Sequence, residues 1–384
     1  MAEKELDILC IGNAIVDVFA RIDEEVANRH GINDPVQHVE IEKINEILSE
    51  IQENLSPSVI ISGGGAQKPH ARHRACSFDE SNTAPPQEEL PSTIITSGGG
   101  SANVAKIAGI LGANVAFTGA IADDSFGRLF EENLTAAGVN VRLPVKHTPT
   151  GICLMLQCVN ETRIAASPSA ALELSESDLS EEDIQKARIV VIDGFMLDRR
   201  SFVRRILTLA DQCGAVVAID LSSPFIAREY ATEIAGLAGQ YSFILFMNEN
   251  EADAFYCGLK AGLDHLKEDV GFINHADSGF RPFFLSLTKG KSFPIIVVKL
   301  GKQGAVCFSG GNSYAAETKE VEPVESTGAG DAFCAAFLTA WARNKTLPEC
   351  AVLGNKAARI ILDVTGTLVD RKAFECLSDV NAVM

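Results

Sequence analysis

Apolar residues along this chain fall into short continuous blocks, separated by longer stretches in which they recur every third or fourth position. The blocks at Leu6–Ile11, Val115–Phe117, Ile189–Ile192, Val216–Ile219, Phe243–Phe246 and Ile295–Val298 read as strands buried on both faces. Between several of them, Ser125–Ala137, Arg200–Cys213 and Ala227–Ala238 carry the helical period. Strand–helix alternation of this kind predicts an α/β fold, with a mostly parallel sheet between two layers of helices. Ligands of such sheets bind beyond the carboxyl ends of the strands. The first block ends at Gly12-Asn13, which marks a functional edge.

One region breaks the rhythm. Residues 62–97 are rich in Gly, Pro, Ser, Asn and charge and offer little to bury, so a flexible insertion is expected there. Two near-copies flank it: Val59-Ile60-Ile61-Ser62-Gly63-Gly64-Gly65-Ala66 and Ile94-Ile95-Thr96-Ser97-Gly98-Gly99-Gly100-Ser101-Ala102. We read the second as the working copy, because it continues into Asn103 and a helical pattern, whereas the first runs into Gln67-Lys68-Pro69-His70. His70, His73 and Cys76 can be drawn as a metal cluster, but a solvated loop is the simpler account.

Composition narrows the function classes. A formal charge of −18 disfavours nucleic acid and anionic membrane as partners, and no apolar run approaches a membrane span. Ten cysteines without a Cys-x-x-Cys pair, and an N-terminus without signal-peptide layout, point to reduced thiols and a cytoplasmic protein. The 384 residues suit two domains or one large α/β unit with additions; a single domain is the reading adopted.

The chemistry concentrates in Glu325-Ser326-Thr327-Gly328-Ala329-Gly330-Asp331-Ala332-Phe333. Gly328 and Gly330 let the backbone turn tightly beside a ligand. Successive amides opening a helix attract an anion, and an acid at that point can take the proton of a hydroxyl attacking phosphorus. The run lacks the Lys-Ser/Thr pair of a Walker loop and the third Gly of a dinucleotide fingerprint. A plain helix-entry turn is the alternative. Anion hole and base together read as phosphoryl transfer to an alcohol.

This run resembles the C-terminal signature of the ribokinase-type (PfkB) carbohydrate and nucleoside kinases, usually Asp-Thr-Thr/Asn-Gly-Ala-Gly-Asp; Glu325 and Ser326 stand where that form has Asp and Thr. The resemblance extends from about Leu6 to about Val369 and implies a ribokinase-like core with a small β-sheet lid, lid elements falling within about 13–60 and 94–160. It implies ATP and Mg²⁺, with Asp331 as base and the Gly328, Ala329, Gly330 and Asp331 amides as anion hole. Gly98, Gly99 and Asn103 resemble the N-terminal signature, a hinge and a contact to a sugar hydroxyl. Asn13 and Asp17 stand where relatives bind the acceptor, the Asp holding two sugar hydroxyls. Arg163 stands near the transferred phosphate in relatives; a solvated surface charge is the other reading. Asn248 and Glu251 match Asn-x-x-Glu, which orders metal-bound water, and equally match a helix capping box. Lys299, Gly301 and Gly304 resemble the strand-turn beside the nucleotide, where Lys299 either reaches a phosphate or is solvated. Asn355 sits on the helix flanking the ATP base, or is ordinary helix polarity.

Asp220-Leu221-Ser222-Ser223-Pro224-Phe225 and Asp193-Gly194-Phe195-Met196-Leu197 resemble stretches of the adenosine kinase branch, with Phe195 and Phe225 as contacts to the base or else as core residues. Gly100 replaces the Lys common in ribokinases. These features imply adenosine or another purine nucleoside as acceptor, then a free pentose or hexose such as ribose or fructose, then a non-catalytic binding protein. The chain is expected to be a monomer or a homodimer joined through lid edges, Val36–Ile41 being one candidate edge.

Overall fold

A computed structural model of the chain describes residues 4–34, 36–54, 59–61, 93–158, 161–262, 280–289, 295–321, 326–363 and 371–378. The larger sheet runs in the order β17 (Asn312–Ala316), β16 (Ala305–Ser309), β15 (Ile295–Lys299), β14 (Phe243–Asn248), β13 (Val216–Asp220), β12 (Ala187–Asp193), β1 (Leu6–Ile11), β6 (Val115–Thr118), β8 (Asn140–Arg142). From β15 to β8 every pairing is parallel; β16 and β17 close one side as an antiparallel hairpin. The smaller sheet is ordered β3 (Val36–His38), β11 (Thr162–Ser167), β10 (Gly151–Gln157), β2 (Ile15–Arg21), β5 (Thr93–Gly98), β4 (Val59–Ile61), and β7 (Ile121–Ala122) pairs with β9 (Val145–Lys146).

Side-chain alternation in the central strands divides the interior. Ile8 and Cys10 of β1, with Ile189 and Val191 of β12, enter one core, packed by α3 (Gly100–Ile110), α4 (Ser125–Ala136), α11 (Ala329–Ala342), α12 (Leu347–Leu362) and α13 (Arg371–Ser378). Leu9, Ile11, Val190 and Ile192 enter the other, packed by α5 (Glu181–Lys186), α6 (Arg200–Cys213), α7 (Pro224–Glu229), α8 (Ala231–Ala238), α9 (Glu249–Gly262) and α10 (Phe280–Lys289). The expected three-layer α/β/α core is therefore present, with a second, smaller sheet. In β2, Val16 and Val18 join the first core with α2 (Ile41–Asn54), leaving Asp17 and Phe19 on the opposite face. Before α2, α1 (Glu24–Arg29) connects β2 to β3.

Several sequence expectations are corrected. The helix expected over Ala227–Ala238 begins at Pro224, behind the Ser223 N-cap, and breaks at Tyr230. There the tyrosine hydroxyl donates to Asp198, and Gly258 of α9 packs directly on the Arg228 carbonyl. Residues 93–97 are not part of a flexible insertion: the β-branched run Thr93-Ile94-Ile95-Thr96 pairs with β2. The small sheet also reaches Ser167, past the expected limit near 160, and α4 and β6 within 94–160 belong to the large unit. Of Val36–Ile41 only Val36–His38 is strand, at the edge beside β11, and Ile41 opens α2. Residues 62–92 with His70, His73 and Cys76, and also Glu325, lie outside the described residues.

Candidate active site

Helix α11 begins at Gly328, whose φ of 80° is a left-handed value that a side chain would strain. Of the amides that follow, Ala329 N–H donates to the Ser326 carbonyl at 3.2 Å and Ala332 N–H to the Gly328 carbonyl at 2.9 Å, while those of Gly330 and Asp331 lie in the first turn, where the helix itself supplies no acceptor. The helix is anchored by its apolar body: Phe337 packs edge-on against Phe246 at 5.2 Å and stacks with Phe333 at 6.0 Å. Asp331, in the first turn, is thereby held in place, and its Oδ2 accepts a hydrogen bond from Asn103 Nδ2 at 2.9 Å. Burial pushes its carboxyl up to about 7; the Asn103 bond and Lys299 oppose this, while Asp220 and Asp193 add to it.

Four neighbouring parallel strands of the large sheet deliver polar residues to one edge. β12 ends in Asp193, β13 in Asp220, β14 in Asn248 and β15 in Lys299; Asp193 pairs in register with Asp220, and Asn248 with Lys299. Lys299 Nζ donates to Asp220 Oδ2 at 2.7 Å, and the Cys334 thiol donates to the same oxygen at 3.1 Å. A methyl placed on Gly330 would lie 3.2 Å from Lys299 Nζ, so the ammonium stands at the mouth of the α11 anion hole. Burial works against its charge, but the Asp220 carboxylate above all outweighs burial and holds it protonated.

Asn248 and Glu251 form a reciprocal box at the start of α9. The Glu251 amide donates to Asn248 Oδ1 at 2.9 Å, and the Asn248 amide and Nδ2 donate to the two Glu251 oxygens at 2.8 Å each. Burial first and Asp220 second raise the Glu251 carboxyl to about 7. Among the described residues no group of three or more His, Cys, Asp or Glu is placed to hold a metal ion.

The small sheet supplies the other wall. Asp17 in β2 is buried and lies across Gly98, where any Cβ would overlap its carboxylate. Gly99, at φ 93°, passes so close to the Asn13 carbonyl that a side chain would not fit. Gly100 then opens α3, and Asn103 follows one turn later. Gly98→Ala is accordingly expected to displace Asp17 and to destabilise the fold by about 1–3 kcal/mol, the usual cost of overpacking; denaturant melts of the variant and the wild type check this.

Sequence reasoning missed four residues here. Lys106 is buried in α3, donating to the Ser97 carbonyl at 3.0 Å and hydroxyl at 3.3 Å. Burial lowers its pKa to about 8, against the attraction of Asp17 and Asp331. The signal was a lone charge among small apolar residues of one helix. Asp193 and Asp220 were in view within their runs but were given no role, and Cys334 lies one residue past the run that ends at Phe333; an acid closing an apolar strand was the signal for the first two.

Other expected residues are placed elsewhere or otherwise. Arg163, in β11, gives Nε to Glu161 at 2.5 Å, Nη1 to Asn28 at 2.6 Å and to the Ile32 carbonyl at 2.9 Å, and Nη2 to Glu24 at 3.0 Å. Its donors tie β11 to α1, so it is not a solvated surface charge. Asn355 donates to the Ala316 carbonyl at 2.9 Å, anchoring α12 to the end of β17. Gly301 (φ 54°) and Gly304 (φ 91°) make the β15–β16 turn, and a Cβ on Gly304 would overlap the Ala316 carbonyl. Phe195 and Phe225, following β12 and β13, are 49% and 71% exposed, which excludes the core reading for both.

An anion hole, an acid at its lip, a buried ammonium beside it and a carboxylate wall opposite describe a phosphoryl-transfer site. The chain belongs to the pfkB family of carbohydrate kinases, whose family model matches residues 74–372. It is 27% identical over 287 residues to a 5-dehydro-2-deoxygluconokinase of Listeria monocytogenes, covering 72% of this chain and 84% of that protein. It is 25% identical over 266 residues to adenosine kinase 2 of Arabidopsis thaliana, covering 67% and 74%. In fold it is similar to a probable sugar kinase from Rhizobium etli, with a TM-score of 0.73, 22% identity and coverage of 97% and 98%. The adenosine kinase from Sinorhizobium meliloti gives a TM-score of 0.70, 24% identity and coverage of 96% and 97%.

Proposed function

We propose that the protein transfers the γ-phosphoryl group of ATP to a primary, 5′-type hydroxyl of a nucleoside, adenosine first. The observation carrying the reaction is the convergence of Asp331, Asn103 and Lys299 at the glycine-flanked start of α11. Asp331 takes the hydroxyl proton, and the residue 328–331 amides with Lys299 stabilise charge on the group in transit; one preorganised donor is worth roughly 3–4 kcal/mol in comparable sites. Asp17 and Asn103 hold sugar hydroxyls, and the small sheet acts as a lid that excludes water.

The donor set fits Mg²⁺ only through its water shell, since the ion keeps most of its waters and here meets no cage of side chains. Asp220 Oδ1 is buried without a partner, and Glu251 is held near neutrality beside it, so a cation's positive field is the missing element. Asn248 and Glu251 would hold that shell, and the ion would neutralise charge on the phosphates.

Exposed Phe195 and Phe225 at the rim support a flat base as part of the acceptor, since stacking contributes about 0.5–1.5 kcal/mol beyond burial. The second reading, a free sugar, is favoured by the likeness to the Listeria enzyme and includes its sugar-acid substrate class. No helix of the described residues is long and apolar enough to cross a membrane; a cytoplasmic site of action is proposed from the use of ATP. ADP release from ATP and Mg²⁺ is expected with adenosine and not with ribose, fructose or 5-dehydro-2-deoxygluconate. Turnover of a sugar with none of adenosine or inosine reverses the order.

A further inference from the structure

Asp193 closes β12, is 3% exposed, and serves none of the roles above. Its Oδ2 accepts a hydrogen bond from Ser101 Oγ at 3.0 Å. Its Oδ1 is buried without a partner at hydrogen-bonding geometry; burial raises the carboxyl's pKa, and the Ser101 hydroxyl with the Ser101 and Phe195 amides opposes this. A buried carboxylate oxygen in that state is costly unless a well-placed donor arrives. Two more buried acceptors share the condition: Asn13 Oδ1, in the loop after β1, and Asn103 Oδ1, in the first turn of α3.

Gly100 lies between Asp193 and the Asp331 carboxylate. A methyl on Gly100 would lie 3.4 Å from Asp193 Cβ and 3.7 Å from Asp331 Oδ1, so the missing side chain leaves a space bounded by both carboxylates. A methyl on Gly12 would crowd Ser101 Oγ at 2.6 Å and Asp193 Oδ2 at 2.9 Å, so that side is closed. Asn103 has already committed its amide to Asp331. Every unpartnered atom here is an acceptor, so what fills the space must donate.

Resting on the kinase reading, we propose that Asp193 contacts the substrate and sets specificity. Its Oδ1 accepts a hydrogen bond from a hydroxyl or amino group of the phosphoryl acceptor, and its charge selects neutral acceptors over those that bring a carboxylate to that place. Lys106, the buried cation of α3, donates to Ser97 and is attracted to Asp17 and Asp331.

The test compares wild type, Asp193→Asn and Ser101→Ala on adenosine, ribose, fructose and 5-dehydro-2-deoxygluconate, with unfolding midpoints as a check on folding. Wild type is expected to favour a neutral compound. Asp193→Asn should lower kcat/KM for that compound by about tenfold to a hundredfold, chiefly through KM, and narrow the neutral-to-acid ratio by about tenfold. Ser101→Ala, which only loosens the carboxylate, should move both in the same direction by less, and it decides the matter if Asp193→Asn does not fold. An active wild type that prefers the acid overturns the proposal. So do kcat/KM values and a ratio unchanged within about twofold in the folded variants. A wild type that phosphorylates none of the four removes the kinase reading, and this inference with it.

Discussion

Asp331→Asn is expected to lower kcat by about 10²–10⁴-fold, the usual worth of a positioned general base, while leaving acceptor and ATP binding near wild type. The amide keeps the shape of the side chain and can still accept from Asn103, so geometry survives and only proton acceptance is lost. Because burial raises the Asp331 carboxyl to about 7, the ionised base disappears as pH falls through that value. For wild type, kcat/KM for the acceptor should therefore rise with pH up to about 7 and level off above it, reporting the free enzyme. The stability sign runs the other way. An aspartate whose native pKa exceeds its unfolded value of about 3.9 makes the folded state bind the extra proton between those limits, so stability falls as pH rises through them. Asp331→Asn should then unfold at a higher temperature than wild type at pH 8. A variant as active as wild type, or a pH profile flat from 5 to 8, would sink the base assignment.

Lys299→Met should abolish most turnover and also destabilise the protein. It strips the anion hole of its ammonium and leaves Asp220 buried, with the Cys334 thiol as its remaining donor. Removing one member of a buried pair costs about 3–5 kcal/mol because the other charge stays behind. Replacing both members removes that penalty, so Lys299→Met/Asp220→Asn should regain most of the lost stability but little of the activity. Denaturant melts of the single and double variants measure the first effect, and kcat/KM for ATP the second. Recovery of activity in the double variant would show that Lys299 serves only to neutralise Asp220.

What could be read from the chain follows from the range of the forces involved. The central strands β1, β12, β13, β14 and β15 were legible because burial on both faces makes them continuous apolar runs. The strands of the small sheet were not placed individually. Only three residues separate β1 from β2, which carries a buried aspartate, so hydrophobicity does not separate the two. At the site, the glycine turns and Asp331 were legible because their chemistry is local to the backbone. Asp193, Asp220 and Lys106 gain meaning only from partners brought by the fold: Ser101 is 92 positions from Asp193, and Lys299 is 79 from Asp220. The partners of Arg163 were illegible for the same reason, since Glu24, Asn28 and Ile32 lie 131–139 positions away.

Asp17 rides on the small sheet and Asp331 on a helix of the large unit, with Gly98 and Gly99 the joint between them. Under the proposed function, an alcohol touches both at once to be gripped and activated. A fragment reaching one alone, a bare nucleobase or a two-carbon alcohol, would gain contacts on one side and leave the enclosure unsealed. Discrimination against such scraps, water included, is thus written into the division of labour between two sheets more than into any single side chain.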